Sequence, residues 1–197
     1  MIDILVNKDY PLDRFYVPKD LLTSDSNENN FHHYIDKNMK PCLRAEALYS
    51  FILLQSNALN DGLSIIIDSG YRSYDYQKRI WDHYVKHRGL EYAKKYVAHP
   101  GTSEHQTGLA LDIATFYNNE INDDITEESD EYKWMISNAH KYGFILRYPK
   151  NKELITGYNF EPWHYRYVGA YISSLMKEED ITLEEYHNNN LILRKKM

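Results

Sequence analysis

The chain has 197 residues, 43% of them hydrophobic, and a formal net charge of −6. That length supports one domain with a substantial core, and the acidic balance excludes a broad nucleic-acid footprint while allowing a local cationic pocket. A single cysteine, Cys42, excludes an intramolecular disulfide and a thiolate metal cluster, and its place where a helix is expected to begin gives it no catalytic setting.

Met1 to Asp9 carry no basic leader and no long apolar core, so no signal peptide is visible. No apolar run approaches the length of a membrane span. The chain therefore reads as cytoplasmic, unless a leader or anchor has been trimmed from it. Tyrosine is abundant, with 19 residues, and reads first as half-buried core. There is no internal repeat.

Residues 1–40 read as an extended arm and loop. Ile4 to Asn7 suggest a short strand, Pro11 and Pro18 argue against helix, and residues 23–30 form a polar loop. From Pro41 to about Asn60, Leu43, Ala47, Leu48, Phe51, Leu54 and Ala58 recur at helical spacing, with Pro41 suited to the first turn and Asp61-Gly62 as the stop. Leu63 to Asp68 is a β-branched run expected as a buried strand. A second helix is predicted over 74–97, broken near Arg88-Gly89. Leu109 to Ala114 reads as a strand, Asn118 to Glu128 as a surface loop, and Asp130 to Tyr142 as a helix stopped by Gly143. Phe144 to Tyr148 is a further strand, and Val168 to Lys177 and Thr182 to Asn188 are closing helices. With no βαβ rhythm, the expected class is α+β: one domain with a small antiparallel sheet flanked by helices.

Two stretches carry chemistry. Ser103 to Asp112 offers an imidazole, His105, and a carboxylate, Asp112. On one helix these two would lie roughly 10 Å apart along the axis at ~1.5 Å per residue, too far for one ion whose bonds are about 2.0–2.2 Å. A turn around Gly108 leading into a strand removes the difficulty. Asp112 inside the apolar Leu111-Asp112-Ile113 run would be costly to bury alone and calls for a metal, an arginine or a set of donors. Glu161-Pro162-Trp163-His164 offers a second imidazole and carboxylate. In a regular strand Glu161 and His164 would face opposite ways, so a bend or bulge is predicted at Glu161-Pro162. His32, His33, His83, His87, His99, His140 and His187 read as surface or core histidines.

The Ser103–Asp112 stretch resembles the Ser-x-His-x(6)-Asp signature of the VanY-type D-alanyl-D-alanine carboxypeptidases, and Glu161 to Gly169 resembles that family's Glu-x-x-His element. Ser69 to Gln77 is similar to its substrate-binding segment, and Gly143 to Pro149 and the arm at Asn7, Lys8, Pro11 and Leu12 fit the same pattern. The resemblance covers nearly the whole chain. It implies the zinc peptidase fold shared with VanX-type dipeptidases and the hedgehog signalling domain, with residues 41–197 as catalytic core. It implies one Zn2+ per chain, His105, Asp112 and His164 as ligands, and Glu161 as catalytic base. The apparent lack of an export signal, the short length and the closing Thr182 to His187 stretch look like the bifunctional VanXY subgroup. That likeness implies soluble enzymes of vancomycin resistance acting on small peptides that end in D-Ala-D-Ala, both the dipeptide and the UDP-linked muramoyl pentapeptide.

Arg72 is the candidate donor to the tetrahedral oxyanion, since it follows a strand end; Arg147 and Arg166 read as structural. Ser103 and Gln77 are expected to donate to the substrate's carboxylate, Trp163 to wall the pocket and Tyr71 to line it. An L,D-carboxypeptidase or wall-peptide endopeptidase on the same fold is the alternative, and a non-catalytic zinc-binding module a more distant one.

Overall fold

The computed structural model describes residues 2–23 and 41–195, and the side chains of those up to 189. The polar loop expected from residue 23 falls, from 24 onward, outside the described residues, as do His32 and His33.

No strand forms over Ile4 to Asn7, where one is expected, and Asn7 lies in a bend. Asn7 folds its Oδ1 back to accept from the Asp9 and Tyr10 amides, which turns the chain before a ladder can form. The first strand is instead β1, Leu21–Thr23, paired antiparallel with β2, Cys42–Arg44. That pairing corrects the expected helix start: Pro41 and Cys42 do not open a helix, and α1 runs Ala45–Asn60. The Cys42 carbonyl accepts from the Tyr71 amide, and the Gly70 backbone lies against Cys42 so closely that no side chain fits there. Long-range backbone bonds thus hold the segment extended.

The main sheet is entirely antiparallel, in the order β3 (Ile65–Ser69), β4 (Ala110–Tyr117), β7 (His164–Tyr167), β6 (Phe144–Leu146). A short β5, Glu120–Asn122, pairs with the far end of β4. It makes a hairpin of the expected loop, with Asn118 and Asn119 at positive φ in the turn. Between β3 and β4 lie α2 (Tyr74–Arg88) and α3 (Leu90–Tyr96), broken at Gly89 as expected because its φ of 88° is left to glycine. α4 (Asp130–Asn138) continues as a 3-10 turn to Tyr142 and stops at Gly143. α5 (Glu153–Thr156) is a single turn without a sequence expectation; α6 (Ala170–Glu179) and α7 (Leu183–Lys195) close the fold.

Alternation on β4 and β7 sorts the two faces of the sheet. Leu111, Ile113, Tyr165 and Tyr167 join Leu48, Phe51 and Leu54 of α1 and Met135 of α4 in one buried core. Asp112 and His164 fall on the opposite face. Burying this set of apolar side chains, at about 1.5–3 kcal/mol each, fixes the β4–β7 register and with it the position of the polar face.

Candidate metal centre and active site

Asp112 and His164 are direct cross-strand partners, so the register alone sets them side by side. His164 Nδ1 lies 2.8 Å from Asp112 Oδ1. His105 arrives from a 3-10 turn, Glu104–Thr107, that ends at Gly108 with φ 66°. Gly108 suits the left-handed turn, and a Cβ there would also crowd the Leu21 and Arg44 side chains. His105 Nε2 is then 3.3 Å from Asp112 Oδ2. Ligand atoms of His105, Asp112 and His164 all lie within 4.8 Å of one another, and no other such group of three exists among the described residues.

Do these residues fit a metal ion? His105 Nδ1 is 2.6 Å from the Gly70 carbonyl oxygen, which can only accept, so Nδ1 carries the hydrogen and Nε2 offers its lone pair. That Nε2 is buried and lacks a hydrogen-bond partner. Two imidazoles and one carboxylate are a donor set suited to zinc, with room for a fourth ligand on the cleft side. The residues therefore fit.

The electrostatics agree. Burial, helped by the Arg72 charge, pushes the His105 imidazole down to about 4, so it is neutral near pH 7. Burial would raise the Asp112 carboxyl, but His105 and His164 outweigh it and hold the group well below the usual carboxylate range. Burial would likewise lower His164, yet the facing Asp112 and Glu104 carboxylates outweigh it and push it up to about 9.

The bend expected at Glu161-Pro162 is present: the His164 amide donates to the Glu161 carbonyl at 3.2 Å, and β7 begins at His164. Glu161 is outside the ligand group but lines the same cleft. Burial raises its carboxyl, and the Asp112 charge adds to the rise.

The cleft holds about 500 Å³, and Arg72, Gln77, Ser103 and Trp163 all border it. Arg72 Nη2 donates to Asp112 Oδ2 at 3.3 Å and Nη1 to Gln77 Oε1 at 3.4 Å. Gln77 in turn donates one amide hydrogen to the Ala98 carbonyl at 2.9 Å and so braces Arg72, with a second amide hydrogen left over. Ser103 is 5% exposed and borders the cleft. Trp163 is 37% exposed and forms cleft wall rather than core. Tyr71 is the exception: it is buried at 6% exposure and is not among the residues that border the cleft. Away from the centre, His99 packs edge-on to Trp81 and His83 pairs with His87 on α2.

Sequence reasoning passed over Glu104. It is buried at 1% exposure, and its Oε1 accepts from Arg147 Nε at 2.8 Å and Arg166 Nη1 at 2.9 Å. Burial would raise its carboxyl, but the two guanidinium groups hold it well below the usual range. The signal was available in the two arginines, since a buried arginine requires an acid. Tyr148 was also missed; it stacks on the His164 ring at 5.0 Å and fixes its plane.

Comparison with known proteins places residues 40–170 within the model of the VanY family, described as D-alanyl-D-alanine carboxypeptidase. The chain is 47% identical over 183 residues to the putative carboxypeptidase YodJ of Bacillus subtilis (strain 168), covering 92% of this chain and 65% of YodJ. It is 35% identical over 190 residues to VanXYC of Enterococcus gallinarum, a bifunctional D-Ala-D-Ala dipeptidase and carboxypeptidase, covering 93% of this chain and 92% of that protein. Among solved structures, the LdcB LD-carboxypeptidase superposes with a TM-score of 0.80 at 44% identity, covering 93% of this chain and 84% of that one. A vancomycin-resistance D,D-pentapeptidase VanY in complex with Zn(II) superposes at 0.73 with 32% identity, covering 94% and 98%. The chain thus spans just under two thirds of YodJ.

Proposed function

The chain belongs to the VanY D-alanyl-D-alanine carboxypeptidase family, and from that premise we propose that it is a zinc-dependent D,D-carboxypeptidase. It removes the terminal D-alanine from cell-wall precursor peptides that end in D-Ala-D-Ala. The observation that carries this reading is the convergence of His105, Asp112 and His164 at the floor of a cleft that also presents Glu161 and Arg72.

His105 Nε2, Asp112 and His164 would hold the ion. When bound, zinc supplies Lewis-acid polarisation of the scissile carbonyl and acidifies a water. Glu161 takes a proton from the attacking water and delivers it to the leaving amine of D-alanine, so the C–N bond breaks with its proton supplied. Its raised carboxyl suits both halves of that task. The Arg72 guanidinium, braced by Gln77, supplies fixed positive charge where the tetrahedral oxyanion develops. The Ser103 hydroxyl is available to the substrate's terminal carboxylate, and Trp163 limits the space around it. A cleft of about 500 Å³ exceeds what a dipeptide fills, so the upstream residues of a longer peptide, such as the UDP-linked pentapeptide, also find room.

A second reading has its own support. Identity to the LdcB LD-carboxypeptidase, 44%, exceeds the 32% to the D,D-pentapeptidase VanY. An L,D-carboxypeptidase releases the same D-alanine, from a tetrapeptide rather than a pentapeptide, and needs the same ligands and base. The contribution to vancomycin resistance implied by the resemblance rests on relatives of lower identity and follows the D,D reading only. Incubation with D-Ala-D-Ala, tetrapeptide and pentapeptide separates the two: release of D-alanine from the pentapeptide supports the first, and from the tetrapeptide alone the second. Among the described residues no helix is long and apolar enough to cross a membrane.

A further inference from the structure

Behind the metal ligands lies a buried charge cluster that the hydrolytic chemistry does not use. Glu104 gives one oxygen, Oε1, to Arg147 and Arg166. Its other oxygen, Oε2, is buried and has no hydrogen-bond partner. It lies 3.8 Å from His164 Nε2, which is also buried without a partner. That separation is too long for a hydrogen bond, yet each atom is the counterpart the other lacks.

A carboxylate can only accept, so an oxygen facing Nε2 favours the ring form with its hydrogen on Nε2. Nδ1 gives its own hydrogen to Asp112 Oδ1 at 2.8 Å, and this is the hydrogen that a metal ion would replace. We propose that Glu104 is the positioning residue for His164: it keeps the ring hydrogen on Nε2, so that Nδ1 is the nitrogen left to offer its lone pair toward His105 and Asp112 when an ion binds. The proposal rests on the three-residue metal site of the reading above, and not on its substrate.

The surroundings show how Glu104 keeps its place. Arg147 bridges onward to Glu184 of α7, with bonds of 2.9 and 2.5 Å. Arg166 Nη2 donates to the carbonyls of Ile2 and Ile4 at 3.1 and 2.7 Å. The ligand is thereby anchored through Glu104 to the N-terminal arm and to α7. Both arginines only donate, so a glutamine at 104 must point its oxygen at them. Its NH2 would then face His164 Nε2, demanding a lone pair there and driving the ring hydrogen onto Nδ1, the ligand atom.

The test measures zinc affinity of the full chain by competition with a chromophoric chelator, for wild type, Glu104→Gln and Glu184→Gln. Carboxylates that orient a metal-bound histidine typically govern affinity by about 10–100-fold, and Glu104→Gln is expected to weaken zinc by that factor. Glu184→Gln disturbs Arg147 from its far side and is expected to lower the melting temperature while leaving zinc affinity within about twofold. Equal affinity in Glu104→Gln and wild type, or equal loss in both variants, makes the cluster merely structural and overturns the proposal. Should Glu104→Gln not fold, 15N-resolved NMR of zinc-loaded wild type decides: a hydrogen on His164 Nε2 is expected, and one on Nδ1 contradicts it. Because none of these readings uses a peptide, failure to hydrolyse D-Ala-D-Ala substrates would sink the functional reading and leave this one standing.

Discussion

Asp112 and His164 sit opposite each other in the β4–β7 ladder, and their side chains meet at 2.8 Å on the face turned away from the core. A one-residue slip of that register would send both into the apolar layer, so the packing that stabilises the sheet also builds two thirds of the candidate metal site. His105 completes the site from a turn whose left-handed end suits Gly108.

In the proposed mechanism Glu161 serves as base and not as ligand. Glu161→Ala is therefore expected to bind zinc at the wild-type stoichiometry while kcat/KM falls by about 10²–10⁴. Metal analysis beside steady-state kinetics on a D-Ala-D-Ala peptide checks both halves, and lost zinc would move Glu161 into the ligand set.

Zinc should also stabilise the fold, because the site is assembled only in the native state. At free zinc about 100-fold above its dissociation constant, linkage gives about 2.7 kcal/mol. For a chain of this size that corresponds to roughly 5–11 °C in Tm. Calorimetry of the chelator-treated protein, with and without added zinc, measures the difference.

The raised carboxyl of Glu161 carries a sign. A carboxyl whose folded value lies above its unfolded value contributes stability below the unfolded value and loses it as pH rises through the folded one. In metal-free protein Glu161→Gln should therefore raise Tm at neutral pH, and its advantage should shrink as the pH is lowered. Melting curves from pH 4 to pH 8 follow this directly; an advantage that grows toward acid would refute it.

How much of this was legible in the sequence follows from where the determining contacts lie. The break at Gly89, the turn at Gly108 and the stop at Gly143 are local, and each declares itself through a glycine with positive φ. The strand at Cys42–Arg44 is not local: it exists because residues 21–23 pair with it and Tyr71 bonds to it, so apolar spacing alone extended the helix over it. Glu104 looks like an ordinary polar turn residue until Arg147 and Arg166, 43 and 62 positions away, close on it. Tyr71 sits in a recognisable motif, but its burial is a tertiary property that the motif does not state.

The arginine cluster yields its own stability prediction. Arg147→Ala leaves the buried carboxylates of Glu104 and Glu184 without a shared partner. Breaking a buried pair from one side costs about 3–5 kcal/mol. Urea denaturation of the metal-free variant should show that loss as a lower midpoint at unchanged slope.

The central claim is that the three ligands and Glu161 act together on a terminal D-alanine. It is tested most directly by quantifying the D-alanine released from a pentapeptide ending in D-Ala-D-Ala, by zinc-loaded and by zinc-stripped protein. The account predicts one D-alanine per peptide from the loaded protein and none from the stripped protein, with activity restored by zinc. Undiminished release after complete metal removal, or no release by the fully loaded protein from any D-alanine-terminated peptide, would contradict it.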